Sequence, residues 1–134
     1  MPEGRPITPA LFTAEPNGPR LIVGRCGACT ALHFPAAPTC PYCAFESCTE
    51  TPVGPGGRLW LYTSVLTRPP GYRGPVPYGF GVVELAGGLR VVTRLTESRV
   101  ECLHRGMAMQ LVIEPLFTDD AGCSVLSYAF APER

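Results

Sequence analysis

Two Cys-x-x-Cys pairs, Cys26-Gly27-Ala28-Cys29 and Cys40-Pro41-Tyr42-Cys43, stand ten residues apart in this chain. Each pair can close a tight turn whose backbone N–H groups point at the sulfurs. Two such turns on facing hairpin ends then make a tetrahedral cage of four thiolates. Zinc is the favoured occupant, and iron accepts the same four-sulfur geometry. Four protein thiolates fill the coordination sphere and leave no place for water, so the expected Zn2+ is structural rather than catalytic. Binding such an ion contributes about 10 kcal/mol or more of apparent folding energy to a small ribbon. Cys48, Cys102 and Cys123 remain. Buried free cysteine acts as a small hydrophobe, which is the expected role here, with Cys48 as an alternative ligand. An odd count of seven, without an export signal, argues against a disulfide framework.

The rest of the chain reads as mainly β. Its 134 residues suit one compact domain or two very small ones, and its 16 Pro and 15 Gly rule out long regular helices. Residues 7–18 are punctuated by proline, with room for at most one helical turn. Arg20 to Arg25 reads as a strand entering the first metal knuckle, Leu32 to Pro35 as its return, and Thr49 to Val53 as a further extended segment. Gly54-Pro55-Gly56-Gly57 marks a break in composition. Beyond it, strands are expected at Arg58 to Leu66, Tyr78 to Leu85, Leu89 to Thr96, Met107 to Leu116 and Cys123 to Phe130, with one helical turn at most between Ser98 and Gly106. Five strands with a long first loop suggest an OB-fold barrel. The expected organisation is an extension over 1–19, a rubredoxin-like zinc ribbon over 20–53 and the five-stranded OB-fold over 54–134.

Charge narrows the partners. Eleven basic residues, all arginine, balance eleven acidic ones. A loaded four-thiolate zinc site would add about −2. Proteins that track a phosphate backbone usually carry a positive footprint, so no nucleic-acid partner is expected. The opening Met1-Pro2-Glu3-Gly4-Arg5-Pro6 has no apolar signal core, and no apolar run reaches the ~18 residues of a membrane span. No membrane association and a cytoplasmic location are expected.

A catalytic apparatus is not evident. His33, beside Phe34 and Pro35, reads as a packing or hydrogen-bonding residue, and His104 as a solvated one. Ser64, Ser124 and Ser127 lack a nucleophile elbow, and a phosphate loop lacks its lysine. Asp119-Asp120 reads as a solvated turn.

These pieces together resemble a known family. The Cys26-x-x-Cys29, Leu32-His33-Phe34-Pro35 and Cys40-Pro41-x-Cys43 segments are followed by Gly57-Arg58-Leu59-Trp60-x-Tyr62-Thr63. Next come Pro77-Tyr78-x-Phe80-Gly81-Val82-Val83-Glu84-Leu85 and Arg105-Gly106-Met107. In this order, over residues 20–132, they resemble the domain-of-unknown-function family thirty-five. That family joins a rubredoxin-like zinc ribbon to an acyl-CoA-associated OB-fold. The resemblance implies a small accessory subunit without a catalytic nucleophile of its own. It would dock on a thiolase-superfamily enzyme (thiolase, aldolase or acyltransferase), as an α2β2 heterotetramer, stabilise it and help form its coenzyme A region. Relatives often begin with a helical hairpin, which the segment before Cys26 looks too short to hold.

On that reading, Arg68 and Arg73 of the first barrel loop and Arg90 and Arg94 of one strand face are candidate contacts for coenzyme A phosphates, since guanidinium binds phosphate bidentately. Arg90 and Arg94 share a face with Val92 between them. The Arg68–Pro77 loop, with Pro70, Tyr72 and the following Tyr78 as anchors, is the candidate interface. Two rivals stand beside this reading. One is a stand-alone module binding single-stranded nucleic acid, stacking bases on Trp60, Tyr62, Tyr78 or Phe80. The other is a rubredoxin-like electron carrier.

Overall fold

The computed structural model describes residues 3–133, so Met1, Pro2 and Arg134, at the ends of the expected extension and OB segment, lie outside it. Ten strands run through those residues: β1 (Arg5–Pro6), β2 (Phe12–Glu15), β3 (Gly18–Cys26), β4 (Leu32–His33), β5 (Cys48–Val53), β6 (Gly56–Val65), β7 (Tyr78–Glu84), β8 (Arg90–Leu95), β9 (Ala108–Thr118) and β10 (Ser124–Pro132). They form two sheets.

In the ribbon sheet, β3 is central. β2 and β4 pair with it antiparallel at Phe12↔Leu21 and Gly24↔His33, and β5 runs antiparallel to it from Leu21↔Val53 to Cys26↔Cys48. The strand β2 replaces the short irregular segment expected at residues 7–18. Its signal is Pro16-Asn17 followed by Gly18, whose φ of 113° closes a two-residue turn between Glu15 and Gly18. The return strand β4 and the extended segment β5 fall where the sequence places them.

The second sheet closes on itself. β6, β7 and β8 form an antiparallel meander, β8 meets β10 in parallel at Leu95↔Phe130, and β9 pairs with both β10 and β6. This is the five-strand closed barrel, as expected. Among the described residues the helical content is two single 3-10 turns, Ala86–Gly88 in the β7–β8 connection and Val100–Cys102 in the β8–β9 connection. β1 adds a short parallel pair to β10, at Arg5↔Val125 and Pro6↔Leu126.

The core follows the period of two along each strand. Leu59, Val83, Val91, Leu95, Met109, Leu111 and Phe130 are fully or almost fully buried inside the barrel. Leu21 and Val23 of the ribbon strand β3 are equally buried and belong to the same cluster. Phe12, Leu32, Phe34 and Val53 pack on it from the ribbon side, and Phe34 meets Tyr128 edge-on at 5.4 Å. One apolar core therefore holds the base of the ribbon to the barrel, and only its tip projects.

Candidate functional site

At that tip the two knuckles repeat one local design. The Cys26 N–H donates to the Ala31 carbonyl (3.0 Å), and the Thr30 N–H donates back to the Cys26 carbonyl (3.2 Å). The Cys40 N–H likewise donates to Phe45 (2.8 Å), and Ala44 returns to Cys40 (3.0 Å). Thr30 and Ala44, the residue after each pair, both take a left-handed conformation, with φ of 64° and 65°. The sulfurs receive backbone donors: Ala28 N–H (3.3 Å) and Cys29 N–H (3.4 Å) reach Cys26 Sγ, and Tyr42 N–H reaches Cys40 Sγ at 3.4 Å.

The four sulfurs fit one metal ion. Cys26 and Cys43 stand 3.5 Å apart and Cys29 and Cys40 3.7 Å, with all four ligand atoms within 4.8 Å of one another. Sulfurs bound ~2.3 Å from a tetrahedral zinc sit ~3.8 Å apart, which matches. Backbone N–H groups, that of Cys29 first, hold the Cys26 thiol down at about 6 against burial. At Cys43 the Phe45 N–H pulls the same way, but hydrogen bonding with Cys26 and burial outweigh it and push the thiol up to about 12. Four adjacent thiolates repel one another, and a bound cation removes that conflict. Cys48, opposite Cys26, is raised by burial and by the neighbouring cysteines, and is not among the four clustered ligands. His33 is buried against Gly24, with Nε2 accepting from the Ala37 N–H at 3.1 Å. It packs and hydrogen-bonds, as the sequence suggests.

The four candidate arginines do not converge. Arg68 donates to the Gly74 carbonyl within its own loop and lies over Tyr72. Arg73 pairs with Asp120 (3.2 Å) and covers Phe117, which ties the loop to the β9–β10 turn. Arg94 is paired with Glu114, and Arg90 with Glu84 at 3.0 Å. Arg90 alone of the four lines a groove of about 430 Å3 between the second knuckle and the β7–β8 turn, together with Tyr42, Gly87 and Gly88. Pro70 is exposed, while Tyr72 and Tyr78 are half-buried with their rings 4.8 Å apart, and Tyr78 meets Phe80 at 6.5 Å.

Two features escape the sequence reading. A bulge in β6 between Leu59 and Leu61 leaves Trp60 outside the ladder. Its ring is flanked by the Arg90 and Arg105 guanidinium groups, each 3.9 Å from the ring centre. The same bulge sets Leu61 opposite Val82, which faces Val92, on the outer side of the barrel. Leu61 and Val92 are each 57% exposed there, and Phe80 in the next row 39%.

Residues 16–46 match the family described as ChsH2, rubredoxin-like zinc ribbon domain, and residues 50–114 match ChsH2, C-terminal OB-fold domain. A DUF35 domain-containing scaffold protein of Pyrococcus furiosus is 31% identical over 84% of this chain and 83% of its own. Benzoylsuccinyl-CoA thiolase subunit BbsA of Thauera aromatica is 29% identical over 96% of this chain and 92% of its own. Among solved structures, the Ltp2-ChsH2(DUF35) aldolase aligns with a TM-score of 0.65 at 27% identity, covering 84% of each chain. With its zinc ribbon carrying four cysteines placed to bind a metal and its closed OB barrel, the chain belongs to the DUF35 family of scaffold and accessory proteins of thiolase-like enzymes.

Proposed function

We propose that this chain is a non-catalytic subunit that docks on a thiolase-like enzyme acting on acyl-CoA, stabilises it and forms part of its coenzyme A region. The observation that carries this reading is a likeness along nearly the whole chain to a protein named as a thiolase subunit. The site chemistry agrees. The one clustered set of metal ligands among the described residues is four cysteines, which leave a zinc ion no open position for substrate. The partner then supplies the nucleophile and the acid–base groups.

Of the arginines, Arg90 is best placed for a coenzyme A phosphate, because it lines the groove beneath the exposed Tyr42 ring. Arg90 is paired with Glu84, as Arg73 and Arg94 are with Asp120 and Glu114, and Arg68 is engaged within its own loop, so the groove is what sets Arg90 apart. An α2β2 assembly suits a partner that is itself a dimer.

The test is acyl-CoA turnover by the chain alone, by the thiolase-superfamily enzyme of the same organism alone, and by the two mixed. The expected result is no turnover by the chain and a higher rate or longer-lived activity in the mixture than in the enzyme alone. Turnover by the rigorously purified chain, or an enzyme indifferent to it, overturns the reading.

A further inference from the structure

The barrel has an inside and an outside, and both are apolar along β6, β7 and β8. The inner rows carry the core. The outer rows run Leu61–Val82–Val92 and Thr63–Phe80–Arg94 across the three strands, with Tyr78 opposite Val65 beyond them. Leu61 and Val92, each at 57% exposure, flank Val82 in one cross-strand row, so the three form a contiguous patch rather than scattered single residues. The β6 bulge is what puts Leu61 there, since strict alternation from the buried Leu59 would turn it inward.

The borders of the patch are cationic. At one end Arg90 and Arg105 flank Trp60, and Arg58 reaches the Gly106 carbonyl at 3.4 Å. Glu84 pairs with Arg90, while Arg58 and Arg105 form no ion pair among the described residues. At the other end Arg94 already holds Glu114, and Arg68 covers Tyr72. Glu84 and Glu114 are already paired and Glu133 lies beside Arg58, so Arg58, Arg68, Arg90, Arg94 and Arg105 leave the rim with a cationic excess over these carboxylates, and a second copy would bring like charge against it. A different protein with an apolar centre and an acidic rim fits both features.

We infer that the outer face of β6, β7 and β8, with Leu61, Phe80 and Val92 at its centre and Arg105 on its rim, is the surface that seats on the partner enzyme. This inference rests on the accessory-subunit reading above and locates its contact. Five residues on each of three strands cover roughly 250 Å2. A standard interface takes about 800 Å2 per partner, so this face is the dry centre of a larger footprint. The Trp60–arginine stack on one side and the Tyr72–Tyr78 pair on the other extend it.

The experiment measures binding of the zinc-loaded chain to the purified thiolase-superfamily enzyme of its own organism by titration, comparing wild type with three variants. Val92→Glu and Leu61→Gln alter exposed strand positions and should weaken binding at least tenfold, while zinc content and melting temperature stay at wild-type values. Arg105→Glu should weaken it several-fold at low salt and less at high salt. Ile7→Glu, an exposed residue beside β10, should change nothing. Wild-type affinity in both Val92→Glu and Leu61→Gln overturns the assigned face while leaving the accessory role standing. A wild-type chain that does not bind at all overturns the role, and the face with it. A concentration-dependent dimer of the isolated chain, abolished by Val92→Glu, overturns the partner assignment in favour of self-association.

Discussion

The tip of the ribbon and the barrel are held together by different physics. From Cys26 to Cys48 the buried residues are Cys26, His33 and Cys40, and the rest is half-buried or exposed. A segment with so little apolar surface out of water cannot offset its own ordering entropy, so the thiolate–metal bonds must do it. The barrel inverts this. It buries Phe130, Leu95, Met109, Leu111 and Leu126 almost completely, each contributing about 1.5–3 kcal/mol. Between them, Leu21 and Val23 anchor β3 in the barrel core. The contrast teaches that metal loading and barrel folding are separable: the ion organises the knuckles, and the shared core keeps β3 in place without it.

The sharpest way to break that separation is to remove the ligands. Cys40→Ser should abolish tight zinc binding, a loss on the scale of the ~10 kcal/mol that such sites contribute. Hydrogen exchange should then rise steeply over residues 26–48 while β6 to β10 keep their protection. Collapse of protection across the barrel would merge the two regions into one cooperative unit.

Phe130→Ala attacks from the other side. A large cavity at the centre of the barrel should cost about 3–5 kcal/mol, read as a lower midpoint in denaturant. Gly24→Ala comes next. A methyl group there would meet the His33 ring at 2.2 Å, so a loss of about 1–3 kcal/mol is expected from overpacking where the ribbon begins to leave the core.

The pH dependence sharpens the comparison further, because it belongs to the knuckles. Zinc binds thiolates, so every proton held by the empty site must leave on loading. With Cys43 pushed up to about 12, its proton is displaced throughout the physiological range. Cys26, held at about 6, retains its proton only below that pH. Zinc affinity should therefore fall as pH falls, and more steeply below about pH 6. Calorimetry in buffers of different ionisation enthalpy should count more protons released at pH 5.5 than at pH 7.5. The smallest effect is expected at Ala44. Its left-handed φ of 65° penalises a Cβ, so Ala44→Gly should stabilise the loaded ribbon by about 1 kcal/mol or less in a chelator-challenge titration.

The same contrast governs how legible the molecule is in its sequence. Cysteine spacing states the knuckles outright, because four thiolates impose one geometry. The barrel strands are readable because turn residues such as Ala86-Gly87-Gly88 and Asp119-Asp120-Ala121-Gly122 punctuate stretches rich in β-branched and aromatic residues. β2 is short and flanked by proline, so its hairpin shows only in Pro16-Asn17-Gly18. The two-residue β1 owes its existence to β10, a partner more than a hundred residues away. The docking face is hidden for a similar reason. The arginines are visible as residues, but their pairing with Glu84, Glu114 and Asp120 depends on register and loop folding. A single bulged residue, Trp60, decides that Leu61 faces solvent.

Native mass spectrometry of this chain mixed with the thiolase-superfamily enzyme of its organism tests the accessory role most directly. The expected spectrum shows an α2β2 assembly carrying one zinc ion for each copy of this chain. A zinc-loaded monomer beside an unaltered enzyme would contradict it.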